Sequence, residues 1–157
     1  MKPKIIVTRN IPDEVESKLK EYFQVSFNRE DKVFSNDILR KAMENADGIV
    51  CTVTDCITNE LLTLPKKKVK IIANIGVGVD HIDLQSAKEN NVIVTNTPDV
   101  LTQATVDIAT LLLLSVTRNA FLVEKMLRQG KWKGFSLTEN LGAVSYTHLT
   151  LPTKRIV

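Results

Sequence analysis

The chain has 157 residues, enough for one ordinary domain or for one domain and part of another, and its composition (43% hydrophobic, 25% charged, few aromatics) is that of a globular protein. A net charge of +3 is too small to argue for a nucleic acid or an anionic membrane surface as partner, and no apolar stretch approaches the roughly 20 residues that a bilayer requires. Cys51 and Cys56 have neither C-x-x-C spacing nor a neighbouring histidine, so no zinc or redox motif is present and both read as reduced, structural thiols.

Short β-branched runs alternate with helical segments from the start of the chain. KIIVT, residues 4–8, reads as a first strand. A helix over 12–23 follows, with Pro12 in its first turn and Asp13 and Glu14 at its positive end. Residues 24–27 form a second, weaker strand. Ser35 is expected to cap a helix running to about Asn45, with Ile38, Leu39, Ala42 and Met43 on one face. GIVCT, residues 48–52, is a third strand, and Thr58 is expected to cap a short helix that ends before Pro65. The run Lys66, Lys67, Lys68 then reads as a solvated loop. Residues 69–75 are a fourth strand, 83–90 a helix and VIVT, 92–95, a fifth strand. No secretory leader is visible in MKPKIIVTRN, and a cytoplasmic location is expected.

Five strands with helices between them, several apolar throughout, imply a parallel sheet covered on both faces. The fold class expected is α/β, a doubly wound, flavodoxin-like domain over residues 1–100. From there the pattern changes. A helix over 101–118 carries apolar residues on nearly every side, among them Val106, Leu111, Leu112, Leu113, Leu114 and Val116, and is expected to be buried between domains or against another subunit. A second helix over 120–129 stops at Gly130, which suits a left-handed cap. Past it, Trp132 and Phe135 read as anchors of an irregular segment.

Between the fourth strand and its helix lies NIGVGVDHID, residues 74–83. The dinucleotide fingerprint G-x-G-x-x-G would place its third glycine at 81, where the chain has His81. In an open parallel sheet ligands bind outside the carboxyl ends of the strands, near the reversal of strand order, and Gly76 and Gly78 stand at such an end. Positive φ at these glycines would turn successive N–H groups toward one point, and the next helix start would add partial positive charge. The product is an anion site suited to a carboxylate rather than a pyrophosphate. A tight strand-to-helix turn without a ligand fits the same spacing. Asp80 and Asp83 read as helix caps, and His81 as an exposed residue at the helix start rather than an acid or base.

The run IANIGVGVDHID, then VIVTNTPDVLTQATVDIA, then GKWKGF, resembles the D-isomer-specific 2-hydroxyacid dehydrogenases, most of all their glyoxylate and hydroxypyruvate reductase branch. The resemblance runs in order from Lys4 to about Ala143. It implies that residues 1–100 are an incomplete substrate domain, that 101–143 are interdomain helices and the start of the nucleotide-domain segment, and that the whole protein reduces a 2-oxo acid with NADH or NADPH. In such proteins the glycine stretch offers backbone N–H groups to the acid's carboxylate, which carries over to Val77 and Gly78, with Gly76 beside them. The loop after the third strand, Thr52 to Thr54, would line the pocket, with Thr52 and Val53 foremost. The long apolar helix would help form a homodimer, and its A-T-V-D segment would approach the nicotinamide through Thr105.

The same resemblance assigns the reaction to an arginine that polarises the carbonyl and a histidine, paired with an acidic residue, that protonates it. None of the three can be placed in this chain, which holds no G-x-G-x-x-G, so no catalytic residue, no metal ligand and no NAD or NADP site of its own is expected. The last fourteen residues, 144–157, match nothing expected of the family and resemble a translated sequencing adapter. On that reading the chain is a truncated frame, inactive alone, and His148 has no role; the other reading is a genuine tail with weak strand character at 147–151. Without those residues the charge is nearly balanced, 19 basic against 18 acidic. Two other classes are compatible with a five-stranded domain. A signalling receiver would need acidic residues after the first strand, where Arg9 and Asn10 stand; a free-standing module that binds a small carboxylic acid would need only Val77 and Gly78.

Overall fold

The computed structural model describes residues 2–134, in two compact units that divide between Leu101 and Thr102. The first unit runs β1 (Lys4–Val7), α1 (Asp13–Tyr22), β2 (Gln24–Phe27), α2 (Asn36–Asn45), β3 (Gly48–Thr52), α3 (Asn59–Leu62), β4 (Ile71–Ile75), α4 (Leu84–Glu89) and β5 (Ile93–Thr95). All strand pairs are parallel and the order is β2-β1-β3-β4-β5, the flavodoxin-like arrangement that the βα alternation implied. The chain moves outward from β1 to β2 and then returns past β1 to β3, so the order reverses between β1 and β3.

Parallel register places paired residues on one face, which sorts the sheet side by side. Ile49 pairs with Ile72, and Cys51 with Asn74. With Ile6 and Val94 these residues meet the apolar stripe of α2 (Leu39, Ala42, Met43) and residues of α3 and α4 in one continuous core. Leu39, Met43, Ile49, Leu62 and Ile72 are at most 1% exposed, and each such side chain contributes about 1.5–3 kcal/mol by leaving water. Ile38, expected on the buried face, is 45% exposed. It lies one residue, about 100° of helix, before Leu39, which turns it to the flank of the stripe.

The opposite face is covered only in part, which corrects the expectation of two covered faces. Ile5 and Val7 are buried there, whereas Ile71 is 39% and Ile93 61% exposed. At the β2 edge α1 closes this face with charge as well as apolar surface. Its buried Glu16 accepts two hydrogen bonds from Arg29, at 2.6 and 2.8 Å, and one from Lys20. Both cations lie over the ring of Phe27, Arg29 at 4.7 Å and Lys20 at 5.1 Å.

The caps follow the sequence more closely in position than in chemistry. Ser35 and Thr58 stand at the N-caps of α2 and α3, yet neither side chain makes a capping bond. Asp83 does cap α4, accepting from the Ser86 N–H at 2.9 Å. Asp80, in the turn before it, is exposed and caps no helix.

The second unit holds α5 (Thr102–Thr117) and α6 (Ala120–Arg128), bent by 70° where Asn119 takes φ 50°. After α6, Gly130 at φ 65° lets its N–H reach the Leu127 carbonyl and that of Lys131 reach Met126, the paired bonds of a Schellman cap. No residue of α5 is buried within the chain, so the burial expected of its leucines is not supplied by the described residues. A helix apolar on every side cannot be covered by one short neighbour. No single described helix is long and apolar enough to cross a membrane. Phe135, His148 and the strand character read at 147–151 lie outside the described residues.

Candidate functional site

At the carboxyl end of β4 the loop 76–79 is organised from beneath by Asn74, a buried amide in an otherwise apolar strand. Its Nδ2 donates to the carbonyl oxygens of Gly76 (3.2 Å) and Gly78 (2.9 Å). Its Oδ1 therefore accepts, so His81 Nε2, at 3.1 Å, carries the proton in this contact. His81 is thus a half-buried anchor of the loop, not the exposed helix-start residue expected from the sequence. A second clamp comes from β5's end, where Thr97 N–H donates to the Gly76 carbonyl (3.0 Å), Gly76 N–H to Thr97 Oγ1 (3.1 Å) and Asn96 Nδ2 to the Val77 carbonyl (2.9 Å).

These inward-turned carbonyls fix the direction of the N–H groups. All peptide bonds among the described residues are trans, so the N–H that follows each carbonyl points the opposite way. The Val77 and Val79 N–H groups point away from Asn74, and that of Gly78 points away from Asn96. Among the described residues none of the three donates to a protein group. Val77 and Gly78 are exposed, so this stretch of backbone lies at the surface.

The glycines act by a different means than their φ freedom. Neither Gly76 nor Gly78 lies at positive φ. A Cβ placed on Gly78 would meet nothing within 4 Å, and one on Gly76 would lie 3.5 Å from Val53 Cγ1 and 3.4 Å from Asn74 Nδ2. Gly78 leaves open space over the N–H groups; Gly76 accommodates its neighbours. The helix-dipole contribution expected from α4 is absent at this loop, because α4 starts at Leu84 and its first turn is answered by the Asp83 carboxylate.

Register brings the loop after β3 alongside. Thr52 pairs with Ile75 at about one strand spacing, roughly 4.8 Å, and the turn that follows, closed by the Asp55 N–H on the Thr52 carbonyl, starts beside Gly76. Val53, 63% exposed, reaches over Gly76, while Thr52 Oγ1 and Thr54 Oγ1 lie 2.9 Å apart. Arg9 at the end of β1 donates from Nη1 to Thr54 Oγ1 (3.3 Å) and is held by Asp31 through Nε at 2.8 Å and Nη2 at 3.2 Å. Asp31 also accepts from the Asn10 N–H, and Arg9 with this bond lowers its carboxyl to about 2.

The strand-order reversal is sealed by Asp55. This carboxylate is fully buried; Oδ2 accepts from Thr8 Oγ1 at 2.5 Å and from the Thr52 N–H at 3.0 Å, while Oδ1 has no partner among the described residues. Cys51 lies in the core, and burial, with Asp55 nearby, pushes its thiol up to about 12. Cys56 is free but exposed, so the structural role expected of both cysteines holds for Cys51 alone.

Of the residues picked out in the sequence, Gly76, Val77, Gly78, Thr52 and Val53 are brought together at the carboxyl ends of β3 and β4. Thr105 belongs to the second unit, in the first turn of α5. Sequence reasoning missed Asn74, Asn96, Thr97, Arg9 and Asp55. Asn74 carried a signal, being the one amide in an apolar strand; the rest act through contacts 19 or more residues apart or through a local turn that no periodicity marks. Among the described residues no three of His, Cys, Asp and Glu converge to hold a metal ion.

A family model described as the D-isomer specific 2-hydroxyacid dehydrogenase catalytic domain matches residues 5–153. The glyoxylate reductases of Thermococcus onnurineus and Pyrococcus horikoshii are each 38% identical to the chain over 133 residues, 85% of this chain and 40% of theirs. Among solved structures, TT0316 protein from Thermus thermophilus superposes with a TM-score of 0.78 at 36% identity, over 88% of this chain and 44% of that one. The NADPH-dependent glyoxylate/hydroxypyruvate reductase of Sinorhizobium meliloti gives 0.63 at 32% identity, over the same shares. The chain therefore spans about half or less of the length of the relatives it matches.

Proposed function

Since the chain belongs to the D-isomer specific 2-hydroxyacid dehydrogenase family, we propose that it supplies the substrate-holding half of an NAD(P)-dependent reductase of small 2-oxo acids such as glyoxylate or hydroxypyruvate. The observation that carries this reading is the set of outward N–H groups at Val77 and Gly78, left without a protein acceptor beside open space at Gly78. Two or three such donors suit a carboxylate, whose oxygens accept only. The relatives support the substrate class: two are glyoxylate reductases by name, and the Sinorhizobium reductase has been crystallised with NADP and malonate.

Within this reading the loop 76–79 holds the carboxylate and so fixes the 2-oxo carbon, and Val53 with Thr52 lines the side of the acid nearest β3. The nicotinamide cofactor supplies the hydride when bound. Thr105 is read as a contact toward that cofactor and α5 as part of a homodimer surface, since its leucines are exposed within the chain. The polarising arginine and the protonating histidine with its acidic partner are not assigned to any of the described residues. The 157-residue chain is accordingly expected to bind the acid and not to reduce it.

The test is a titration of the isotopically labelled chain with glyoxylate and, separately, with NADH, following the amide signals of Val77 and Gly78. Saturable shifts with glyoxylate alone support the reading. Shifts at these amides with NADH would restore a nucleotide-binding role to the loop, and no response to the acid would overturn the proposal.

A further inference from the structure

At the β2 edge, three places from β4 in the strand order, the α2 face of the sheet is left partly open. Alternate strand residues share a face, so Lys4 stands with Ile6 on the side that meets α2, and register pairs Ile6 with Ser26. On α2, Ile38, Lys41, Ala42 and Asn45 recur at the three- and four-residue spacing of one helix side. These two surfaces, with Phe27 of β2 and Phe34 from the loop before α2, line a groove of about 340 Å³. It accounts for Ile38, which is 45% exposed because it lines this groove instead of the core.

The lining combines apolar surface with uncompensated positive charge. Ile6, Phe34, Ile38 and Ala42 supply the first. Lys4 and Lys41 supply the second: no carboxylate lines the groove, and neither ammonium group has an ion-pair or hydrogen-bond partner among the described residues. Lys4 is also half-buried, in a strand whose other side chains are apolar. Asp47 accepts from the Lys4 backbone N–H at 2.7 Å and leaves its ammonium unanswered. A cation partly withdrawn from water gains from an acceptor that a ligand brings.

We propose that this groove is a second ligand site, which takes a monocarboxylate with an apolar chain or ring lying on Ile6, Phe34, Ile38 and Ala42 and its carboxylate met by Lys4 and Lys41. Size sets the class. At the roughly 30 Å³ that a water molecule takes up in the liquid, the groove holds about eleven non-hydrogen atoms, the bulk of an arylalkanoic or medium-chain fatty acid. Glyoxylate lacks the apolar body, and a nicotinamide dinucleotide is several times too large. A second copy of the chain is disfavoured because a stable interface buries about 800 Å² on each partner, far more than these nine residues offer as a groove. None of the nine belongs to the loops 52–54 and 76–79, so the site stands or falls independently of the 2-oxo acid reading.

The test is a titration of the isotopically labelled 157-residue chain with 3-phenylpropionate, a probe of that size, and with its neutral analogue 3-phenylpropanamide, following the amide signals of Ser26, Ile38 and Ala42. Saturable shifts there are expected with the acid, which should bind about tenfold more tightly than the amide. Lys41→Gln, which keeps much of the stem and removes the charge, should bring the two affinities close together, and Ile38→Ala should weaken both. Lys18→Gln, on α1 outside the groove, should change neither; circular dichroism checks that each variant is folded. Absence of shifts with the acid, equal affinities for acid and amide in the unaltered chain, or equal effects of Lys18→Gln and Lys41→Gln would each overturn the site. Shifts confined to Val77 and Gly78 would overturn it too, by placing the acid at the glycine loop. Sedimentation that shows self-association abolished by Ile38→Ala would give the groove to a second copy and overturn the proposal.

Discussion

Asn74 and Gly78 are joined by a 2.9 Å hydrogen bond from a buried side-chain amide to a loop carbonyl. Through this bond a residue in the middle of the sheet determines which way an exposed loop peptide points. The same amide bonds Gly76 and His81, so three loop residues depend on one side chain.

Asn74→Ala should therefore lower stability by about 1–3 kcal/mol, the usual cost of leaving buried polar partners unpaired. It should also abolish the acid-induced shifts at Val77 and Gly78. Asn74→Asp keeps the shape but sets a second acceptor against two carbonyl oxygens, and should cost more than the alanine variant. Urea unfolding of the three proteins ranks them.

At Gly78 fold and function can be separated. A Cβ there meets no atom within 4 Å and the backbone is not left-handed, so Gly78→Ala should change stability by less than about 0.5 kcal/mol. Gly78→Val fills the open space above the N–H groups and should weaken acid binding at least about tenfold with the fold intact. In a complete enzyme of this family the same change should raise KM for the 2-oxo acid far more than KM for the cofactor. An effect confined to the cofactor would contradict the assignment of this loop.

Asp55→Ala removes the acceptor shared by Thr8 Oγ1 and the Thr52 N–H, in a site with no solvent access. A loss of about 3 kcal/mol is expected, from two stranded donors and a small cavity. Asp55→Asn retains one oxygen able to accept both bonds and should cost well under half as much. Midpoints of denaturant unfolding give the comparison; equal losses would mean that the carboxylate's charge matters more than its hydrogen bonds.

The Arg9–Asp31 pair predicts an acid response with a definite sign. Arg9 and the Asn10 N–H stabilise the ionised carboxyl and lower it from an ordinary 3.8 to about 2. A depressed carboxyl contributes stability that is present above its unfolded value and is lost as pH falls through its folded value. The unaltered chain should thus lose part of its stability between about pH 4 and pH 2, and Asp31→Asn should lack that part of the decline. Acid titration followed by circular dichroism measures the difference, which added salt should shrink because the pair is near solvent.

Much of the fold was legible in the sequence because periodicity and composition are local. The β-branched runs at 4–7, 48–52 and 71–75, the helix starts at Pro12, Ser35 and Asp83 and the stop at Gly130 all came from neighbouring residues, and each lies within two residues of its expected place. The two G-V-G glycines marked the loop, and the resemblance marked Val77 and Gly78 within it. Ile38 and the exposed face of β4 and β5 were misjudged because burial depends on what packs opposite, which no window of sequence contains.

By itself, then, the sequence determined the βα alternation, the parallel sheet and the position of a glycine loop at the end of the fourth strand. Only the tertiary structure decided how that loop works. The outward N–H groups result from carbonyls captured by Asn74, Asn96 and Thr97, not from glycine φ, and the hydroxyl pair beside them depends on Arg9 and Asp31, brought in from the ends of other strands, and on Asp55, which ties its turn to Thr8 of the neighbouring strand. Those contacts join residues up to 47 positions apart, and hydrogen bonds of that reach exist only once the sheet has set its register.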